Sequence, residues 1–321
     1  MDLKNIFITA IGSMSAEACI SSLNDNKIYP FVGDIYPECW HLHVTVKNSQ
    51  KFFQLPLAYQ EEYIGTILSI CKKNDISHIF PLTDVEIDTL NQHREMFENE
   101  NIVLCMSPRN TILAVRNKKT VYDLLQNNNV ISAIPTVSWS DRKALSGTVI
   151  AKPATGRSSE KMFVLKNCET LHLLTDNPDN YILQPYLKGE VITCDFVRDC
   201  SGNAEFSMRK ELIRTVNGAG TAIEFFYDEK LSEILNFLGN FFNITGCVNF
   251  EFLRTKNEIY LMDVNPRFSA GVSFSIRAGF DMVTNHLRCF CGKDIVKASQ
   301  PLRTGIFTKR FETLPIITDN A

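Results

Sequence analysis

The chain has 321 residues, 45% of them apolar and 21% charged, and a formal net charge of −3, which describes an ordinary globular protein with room for more than one subdomain. That balance excludes a dominant nucleic-acid surface, which needs clustered positive charge, and no apolar stretch is long enough to cross a bilayer. A strand begins within four residues, with no basic segment and long apolar run ahead of it, and ten cysteines lie scattered without Cys-x-x-Cys spacing, so a cytoplasmic protein with buried free thiols is expected.

In chain order, residues 5–12 (NIFITAIG) carry a buried-strand pattern, 15–24 a helical one, and 28–35 (IYPFVGDI) a second strand. The helix at 61–75 places Ile64, Ile67, Leu68 and Cys71 at i, i+3, i+4 and i+7. A strand at 78–84, a helix through Arg94 and a strand at 102–107 continue the alternation. Such repetition predicts a parallel, doubly wound sheet, with its ligand crevice at the strand ends near Gly12, Asp34 and Asp84. The turn Gly12-Ser-Met-Ser-Ala16 has one glycine where a dinucleotide fingerprint needs three, so NAD is not expected there. Asp34 reads as a solvated turn acid. Trp40, His41 and His43 have no carboxylate or cysteine at ligand spacing, which favours a packed loop over a zinc site.

A helix at 117–126 leads into NNNVISAIPTVSW, a polar, proline-containing junction. Short strands follow at 147–153, 161–166, 181–187, 191–199, 204–212, 247–254 and 258–265, interrupted by one amphipathic helix at 229–242. This half is expected to be mainly antiparallel.

The chemistry concentrates in the last hairpin. In IYLMDVNPRFSAG (259–271), Asp263, Asn265 and Arg267 alternate and so share one face of a strand. A turn centred on Asn257 sets Glu251 opposite Asp263 and Asn249 opposite Asn265, with Phe250, Phe252, Met262 and Val264 on the other face. Carboxylates opposed at about 5 Å between Cβ atoms repel, and a hard cation such as Mg²⁺ between them removes the repulsion. A pair of solvated acids is the alternative, weakened by the apolar rank behind them. In GTVIAKPATGRSSEKMFVL (147–165), Lys152 precedes Gly156, Ser158 and Ser159. Backbone N–H groups of such a loop can surround phosphate oxygens; a flexible turn has the same composition. In YILQPYLKGEVITCDF (181–196), Gln184, Tyr186 and Leu187 precede Glu190. That stretch offers backbone partners for an adenine and a carboxylate for a ribose, and equally passes as a strand connection. In FSMRKELIRTVNGAG (206–220), Lys210 and Arg214 are candidate cations for anionic reactants, whereas Arg209 reads about equally as a solvated strand edge.

Taken in order, these segments resemble the ATP-grasp superfamily, specifically its carbamoyl-phosphate-synthetase-like members, over nearly the whole chain. The resemblance implies an α/β N-terminal domain with a doubly wound parallel sheet (1–112), then an α+β ATP-grasp fold made of a small lid subdomain (113–187) and a larger antiparallel-sheet subdomain (188–321). It implies that Lys118, in RNKKT, and Lys152 are the nucleotide lysines, that Gly156, Ser158 and Ser159 form the triphosphate loop, and that Gln184, Tyr186 and Leu187 form the adenine hinge ahead of a ribose acid, Glu190. Gln184 stands where relatives often carry an acid, and the loop is poorer in glycine than theirs. Glu251 and Asp263 would bridge two Mg²⁺ ions, with Mn²⁺ as a substitute and Asn265 as a further ligand. Arg267 would lie against the transferred phosphate, with Lys210 and Arg214 as further charge-neutralising groups and 269–275 (SAGVSFS) as a small-residue loop of the acceptor pocket. The implied activity is ATP-dependent activation of a carboxylate as an acyl phosphate and its joining to an amine. The alternatives are a bicarbonate-activating enzyme forming carbamoyl or carboxy phosphate, and a non-catalytic ATP-binding module. Small-molecule carboxylate and amine substrates are implied, with no nucleic acid or membrane as partner; relatives often form homodimers.

Overall fold

The computed structural model describes residues 3–45, 48–156, 161–216 and 218–310. The first segment builds five parallel strands, β1 (Asn5–Ile8), β2 (Phe31–Asp34), β3 (Phe52–Gln54), β4 (Ile76–Phe80) and β5 (Val103–Leu104), in the order β3-β2-β1-β4-β5. Between them run α1 (Ala16–Asp25), α2 (Leu42–Thr45), α3 (Glu62–Lys73), α4 (Asp84–Gln92) and α5 (Arg94–Glu98). β4 is buried along its whole length, as a strand covered on both faces must be. On one side Tyr63, Ile67, Ile87 and Leu90 meet Phe7 and Ile79. On the other, Ile6, Ile8 and Phe80 share a core with α1 and with residues of the second half.

Chain direction outward from the centre reverses between β1 and β4, so the crevice of this sheet opens at the loops that follow those two strands. Asp34 shapes it from β2. Its carboxylate accepts the Gly12 N–H at 2.7 Å and the Tyr36 N–H at 3.0 Å, and the His41 Nε2 lies 3.4 Å from it. Asp34 is therefore buried and engaged, not a solvated turn acid.

Two helices, α6 (Arg109–Val115) and α7 (Lys118–Leu125), lead out to β6 (Ser132–Ala133). A four-stranded antiparallel sheet follows, made of β7 (Val137–Ser138), β8 (Val149–Pro153), β9 (Phe163–Leu165) and β10 (Tyr181–Pro185) in the order β7-β10-β8-β9. Its core is small, formed by Val149, Ala151, Leu165, Leu171, Tyr181 and Leu183.

The rest is a seven-stranded sheet in the order β16-β13-β12-β11-β14-β15-β6. Its new strands are β11 (Glu190–Arg198), β12 (Ala204–Arg214), β13 (Gly220–Phe225), β14 (Gly246–Arg254), β15 (Ile259–Asn265) and β16 (Gly305–Thr308). All its pairings are antiparallel except β15 with β6. Helix α8 (Glu229–Phe241) covers one face, pressing Leu231, Ile234, Leu235 and Leu238 onto Phe196, Phe250, Phe252 and Val264. The segment between the site hairpin and β16 forms α9 (Val272–Arg277) and α10 (Met282–Phe290). The expected loop at 269–275 is thus a short turn followed by helix.

His286 of α10 holds the two large sheets together. Its Nδ1 accepts the Cys247 N–H at 2.8 Å, its Nε2 donates to the Cys105 carbonyl at 3.0 Å, and the rings of Phe80, Phe268 and Phe290 enclose it. Burial pushes its pKa down to about 3. An unfolded chain binds this proton below about 6.5 while the folded one does not, so stability is lost as pH falls from about 6.5 toward 3, by about 5 kcal/mol in full. Urea titrations should show this acid-side slope in the native chain and not in His286→Gln; equal slopes would mean the ring is protonated in place. Among the described residues no helix is long and apolar enough to cross a membrane, and all ten cysteines are free thiols.

Candidate active site

The hairpin of β14 and β15 pairs Asn249 with Asn265 and Glu251 with Asp263. On the other edge of β14, Thr193 lies opposite Glu251 and Asp195 opposite Asn249; β12 extends both rows with Arg209 and Ser207. Two polar rows, Arg209-Thr193-Glu251-Asp263 and Ser207-Asp195-Asn249-Asn265, therefore cross four strands on one face. The period of two sends Met208, Ile192, Phe250 and Phe252 to the α8 side. The rows border a cleft of ≈ 440 Å³ whose far wall is the turn after β1, with Gly12 and Ser13, and the loop after β4, with Thr83 and Asp84.

Cations from several elements face this wall. Asn117 caps α7 by accepting the N–H groups of Lys119 and Thr120 at 3.0 and 3.1 Å. That cap fixes the first turn and sets the Lys118 Nζ 3.3 Å from Asp263 Oδ2 and 3.3 Å from the Gly156 carbonyl. Arg214 has the wrong parity to join Arg209 and Glu211, but the register shifts between Glu211 and Arg214 turn its side chain in. Its Nη2 lies 3.2 Å from Glu251 Oε2. Burial, reinforced by Asp263 and Glu211, raises the Glu251 carboxyl above its usual range although Arg214 opposes the shift. Arg267 turns back to the first domain: Nε and Nη2 lie 3.0 Å from Asp84 Oδ2, and Nη1 donates to the Phe268 carbonyl. Three of its five N–H groups are so placed, and the residue lines the cleft.

Lys152 on β8 belongs to the four-stranded sheet and faces the same charges. Burial pushes its pKa down to about 8, Lys118 adds to the shift, and Asp263 and Glu251 oppose it. Gln184 on β10 lies beyond it, its amide donating to Thr136 Oγ1 at 2.8 Å. The gap it forms with Lys118, Tyr122, Leu261 and Asp263 is only ≈ 10 Å³. Tyr186 is exposed, Leu187 half-buried, and Glu190 opens β11 exposed to solvent; none of the three lines the charged cleft. Ser158 and Ser159 lie outside the described residues.

Lys210 is a correction. It lies opposite Ile192, on the α8 face of the sheet, with Nζ 3.5 Å from Glu224 and over the Phe226 ring. Its neighbour Arg209 takes the inward position and is 1% exposed. Arg209 donates to Asp195 at 2.7 Å, to Glu211 at 3.3 Å and to Ser269 at 3.0 Å. Burial works against that charge, but Asp195 and Glu211 outweigh it and raise the guanidinium pKa. The alternation Ser207, Arg209, Glu211 against Phe206, Met208, Lys210 is the signal that separates the two cations.

The donor set suits a hard cation. Glu251, Asp263, Asn265 and Asn249 present oxygens, and Asn249 Oδ1 is buried without a hydrogen-bond partner. Among the described residues no group of three or more His, Cys, Asp or Glu gathers, so two carboxylates would leave the rest of a Mg²⁺ shell to amide, water and phosphate oxygens, as this ion prefers.

Comparison with known families places residues 115–271 in the family described as "ATP-grasp domain". The chain carries an ATP-grasp domain. Residues 35–105 match "PylC-like, N-terminal domain", so the ATP-grasp region is preceded by a second recognised unit. Solved structures similar to this chain include the biotin carboxylase domain dimer of the Hydrogenobacter thermophilus 2-oxoglutarate carboxylase, in complex with MgADP, ADP and bicarbonate. That pair shares 14% identity over 95% of this chain and 74% of the other, with a TM-score of 0.77. N5-carboxyaminoimidazole synthetase from Staphylococcus aureus, complexed with ADP, shares 14% identity over 95% and 82% of the two chains, at 0.75. The L-amino acid ligase from Bacillus licheniformis shares 13% identity over 90% and 75%, at 0.71. These likenesses are of fold: a parallel-sheet domain joined to antiparallel ATP-grasp sheets.

Proposed function

We propose that this protein is an ATP-dependent carboxylate–amine ligase of the cytoplasm. One observation carries the reading: the Glu251–Asp263 pair lies in a cleft lined by Arg214 and Arg267, and from separate elements Lys118 reaches Asp263 at 3.3 Å while Lys152 feels the charges of both acids. Lys118 and Lys152 would hold the nucleotide phosphates, with the 156–159 loop around them, and the strand end at Gln184, Tyr186, Leu187 and Glu190 would take the adenosine. The ≈ 10 Å³ gap beside Gln184 means that the four-stranded sheet must part from the larger one to admit a base. Glu251, Asp263 and Asn265 would hold Mg²⁺, two ions in the full reading, with Asn249 as a spare oxygen. Bound there, the metal neutralises phosphate charge and polarises the transferred group.

In the proposed reaction the substrate carboxylate oxygen bonds to the γ-phosphorus as the bond to ADP breaks, giving an acyl phosphate. The amine nitrogen then bonds to the acyl carbon, inorganic phosphate leaves with the C–O electron pair, and the amine proton goes to phosphate or solvent. Both reactants of the first step are anions, so fixed cations that cost no reorganisation lower its barrier. Arg267, pinned by Asp84, and Arg214, pinned by the Gly218 carbonyl at 2.7 Å, are preorganised in this sense, and Arg209 fixes the floor between them. Arms with single acids, amines, both, and bicarbonate should separate the readings when ADP and phosphate are measured under Mg-ATP. Release that needs an acid and an amine together is expected; release with bicarbonate alone supports carboxy-phosphate formation, and ATP binding with no release in any arm overturns the ligase.

The lowered Lys152 pKa gives a separate expectation. At pH 8 about half of this amine is neutral in the empty site, and a triphosphate beside it favours the charged form. Nucleotide binding should therefore take up protons near and above pH 8, and affinity should fall as pH rises further. Calorimetry in buffers of different ionisation enthalpy measures the uptake, which Lys152→Met should remove; a null result in the native chain would place Lys152 away from the phosphates.

A further inference from the structure

The crevice of the first sheet has a second chamber. Behind the turn that follows β1, a cavity of ≈ 320 Å³ is walled by Ile35, Leu55, Leu57, Ala58, Tyr63 and Val85. Gly12, Ser13 and Thr83 line both this chamber and the charged cleft, so the two adjoin across these residues. Its carboxylates are already engaged. Asp34 accepts from the Gly12 and Tyr36 N–H groups, while Glu86 accepts from Tyr63 Oη at 3.0 Å and from Thr83 Oγ1 at 2.8 Å. An occupant meets carbon on most sides and no unengaged carboxylate. A polar substrate filling it would lose its water without replacement, which is costly. An aliphatic or aromatic group would gain the usual transfer free energy.

We propose that one of the joined substrates is amphiphilic: its reacting carboxylate or amine lies in the charged cleft, and an apolar side chain of leucine or phenylalanine size seats in this chamber. The proposal rests on the ligase reading for the reacting head but not for the tail. Leu57 and Ala58 then set side-chain selectivity without touching the nucleotide.

Calorimetry on the full chain with Mg²⁺ and a non-hydrolysable ATP analogue tests it with three graded series. These are L-alanine, L-leucine and L-phenylalanine; propionate, isocaproate and 3-phenylpropionate; and ethylamine, isoamylamine and phenethylamine. In at least one series the long apolar members should bind about tenfold or more tighter than the shortest. Leu57→Asp, which puts a charge in the wall, and Ala58→Leu, which fills the space, should each erase that gain while nucleotide affinity stays within about twofold. Flat affinities within every series, no binding by any member, or an apolar gain that survives both substitutions would overturn the chamber assignment. Apolar binding without ADP release would keep the chamber and remove the ligase; acid- and amine-dependent release with no apolar preference would do the reverse.

Discussion

Asp263→Asn is expected to lower ATP turnover by about 10³-fold or more while leaving the fold in place. The change removes one charge and almost no volume, at a site 24% exposed whose nearest cation is the Lys118 Nζ at 3.3 Å. Asp263 is one cause of the raised Glu251 carboxyl, so its neutralisation relieves a repulsion, and thermal midpoint and circular dichroism should stay near those of the native chain. What it removes is half of the anionic pair that would draw a divalent cation into the cleft. Several kcal/mol of metal-assisted charge stabilisation go with it, and each 1.36 kcal/mol is tenfold in rate. Coupled ADP release beside Mn²⁺ titration of the nucleotide complex reads both consequences: turnover disappears and cation affinity falls together. Full turnover in Asp263→Asn would remove this carboxylate from the metal site and, with it, the central support for the ligase reading.

The sequence carried the features that depend on local period. Continuous apolar runs marked β1, β2 and β4 because a parallel strand covered on both faces has no polar side to show, and β3, two half-buried residues and an exposed one at a sheet edge, offered no such run. The Glu251–Asp263 pairing matches a turn centred on Asn257, but near the turn Arg254 pairs with Ile259, and it is a one-residue register shift between Glu251 and Phe252 that brings Asp263 opposite Glu251. Lys210 went wrong because its strand was read for its charges, without the partner strand that decides which face each charge takes. Placing Thr193 and Asp195 of β11 on the acid face sends Arg209 inward and Lys210 outward. Arg214 then needs a bulge that no alternation rule foretells. Small residues at Ser269, Ala270 and Gly271 hid α9 behind what reads as a loop, although Arg209 explains the glycine, since a Cβ at Gly271 would come within 2.8 Å of its guanidinium. The pairing of Arg267 with Asp84, 183 residues away, is of a kind no local pattern can reveal.

That long-range pair sets the second large effect. Asp84 is 3% exposed and serves both ends of the charged cleft. Oδ2 lies 3.0 Å from two nitrogens of Arg267, and Oδ1 lies 3.4 Å from Arg116, two residues before Lys118. Burial works against its ionisation, but Arg267 and Arg116 outweigh that and hold its pKa below the usual carboxylate value. Asp84→Asn keeps the shape and removes the charge. Arg116 retains Asp88 at 2.8 Å, whereas Arg267 is left with a backbone carbonyl and an amide. Leaving a mostly buried guanidinium without its carboxylate should cost about 3 kcal/mol. Because the folded pKa is depressed, the missing stabilisation is present above the unfolded value near 3.8 and fades as pH falls through the folded one. The stability gap between native chain and variant should therefore be constant at neutral pH and close in acid. Arg267 would also lose its fixed direction, so kcat should fall about a hundredfold at a temperature where the variant is fully folded, with nucleotide affinity changing far less, since Lys118 and Lys152 are untouched. An Asp84→Asn protein that loses stability but keeps kcat would make the pair a clamp between domains and nothing more.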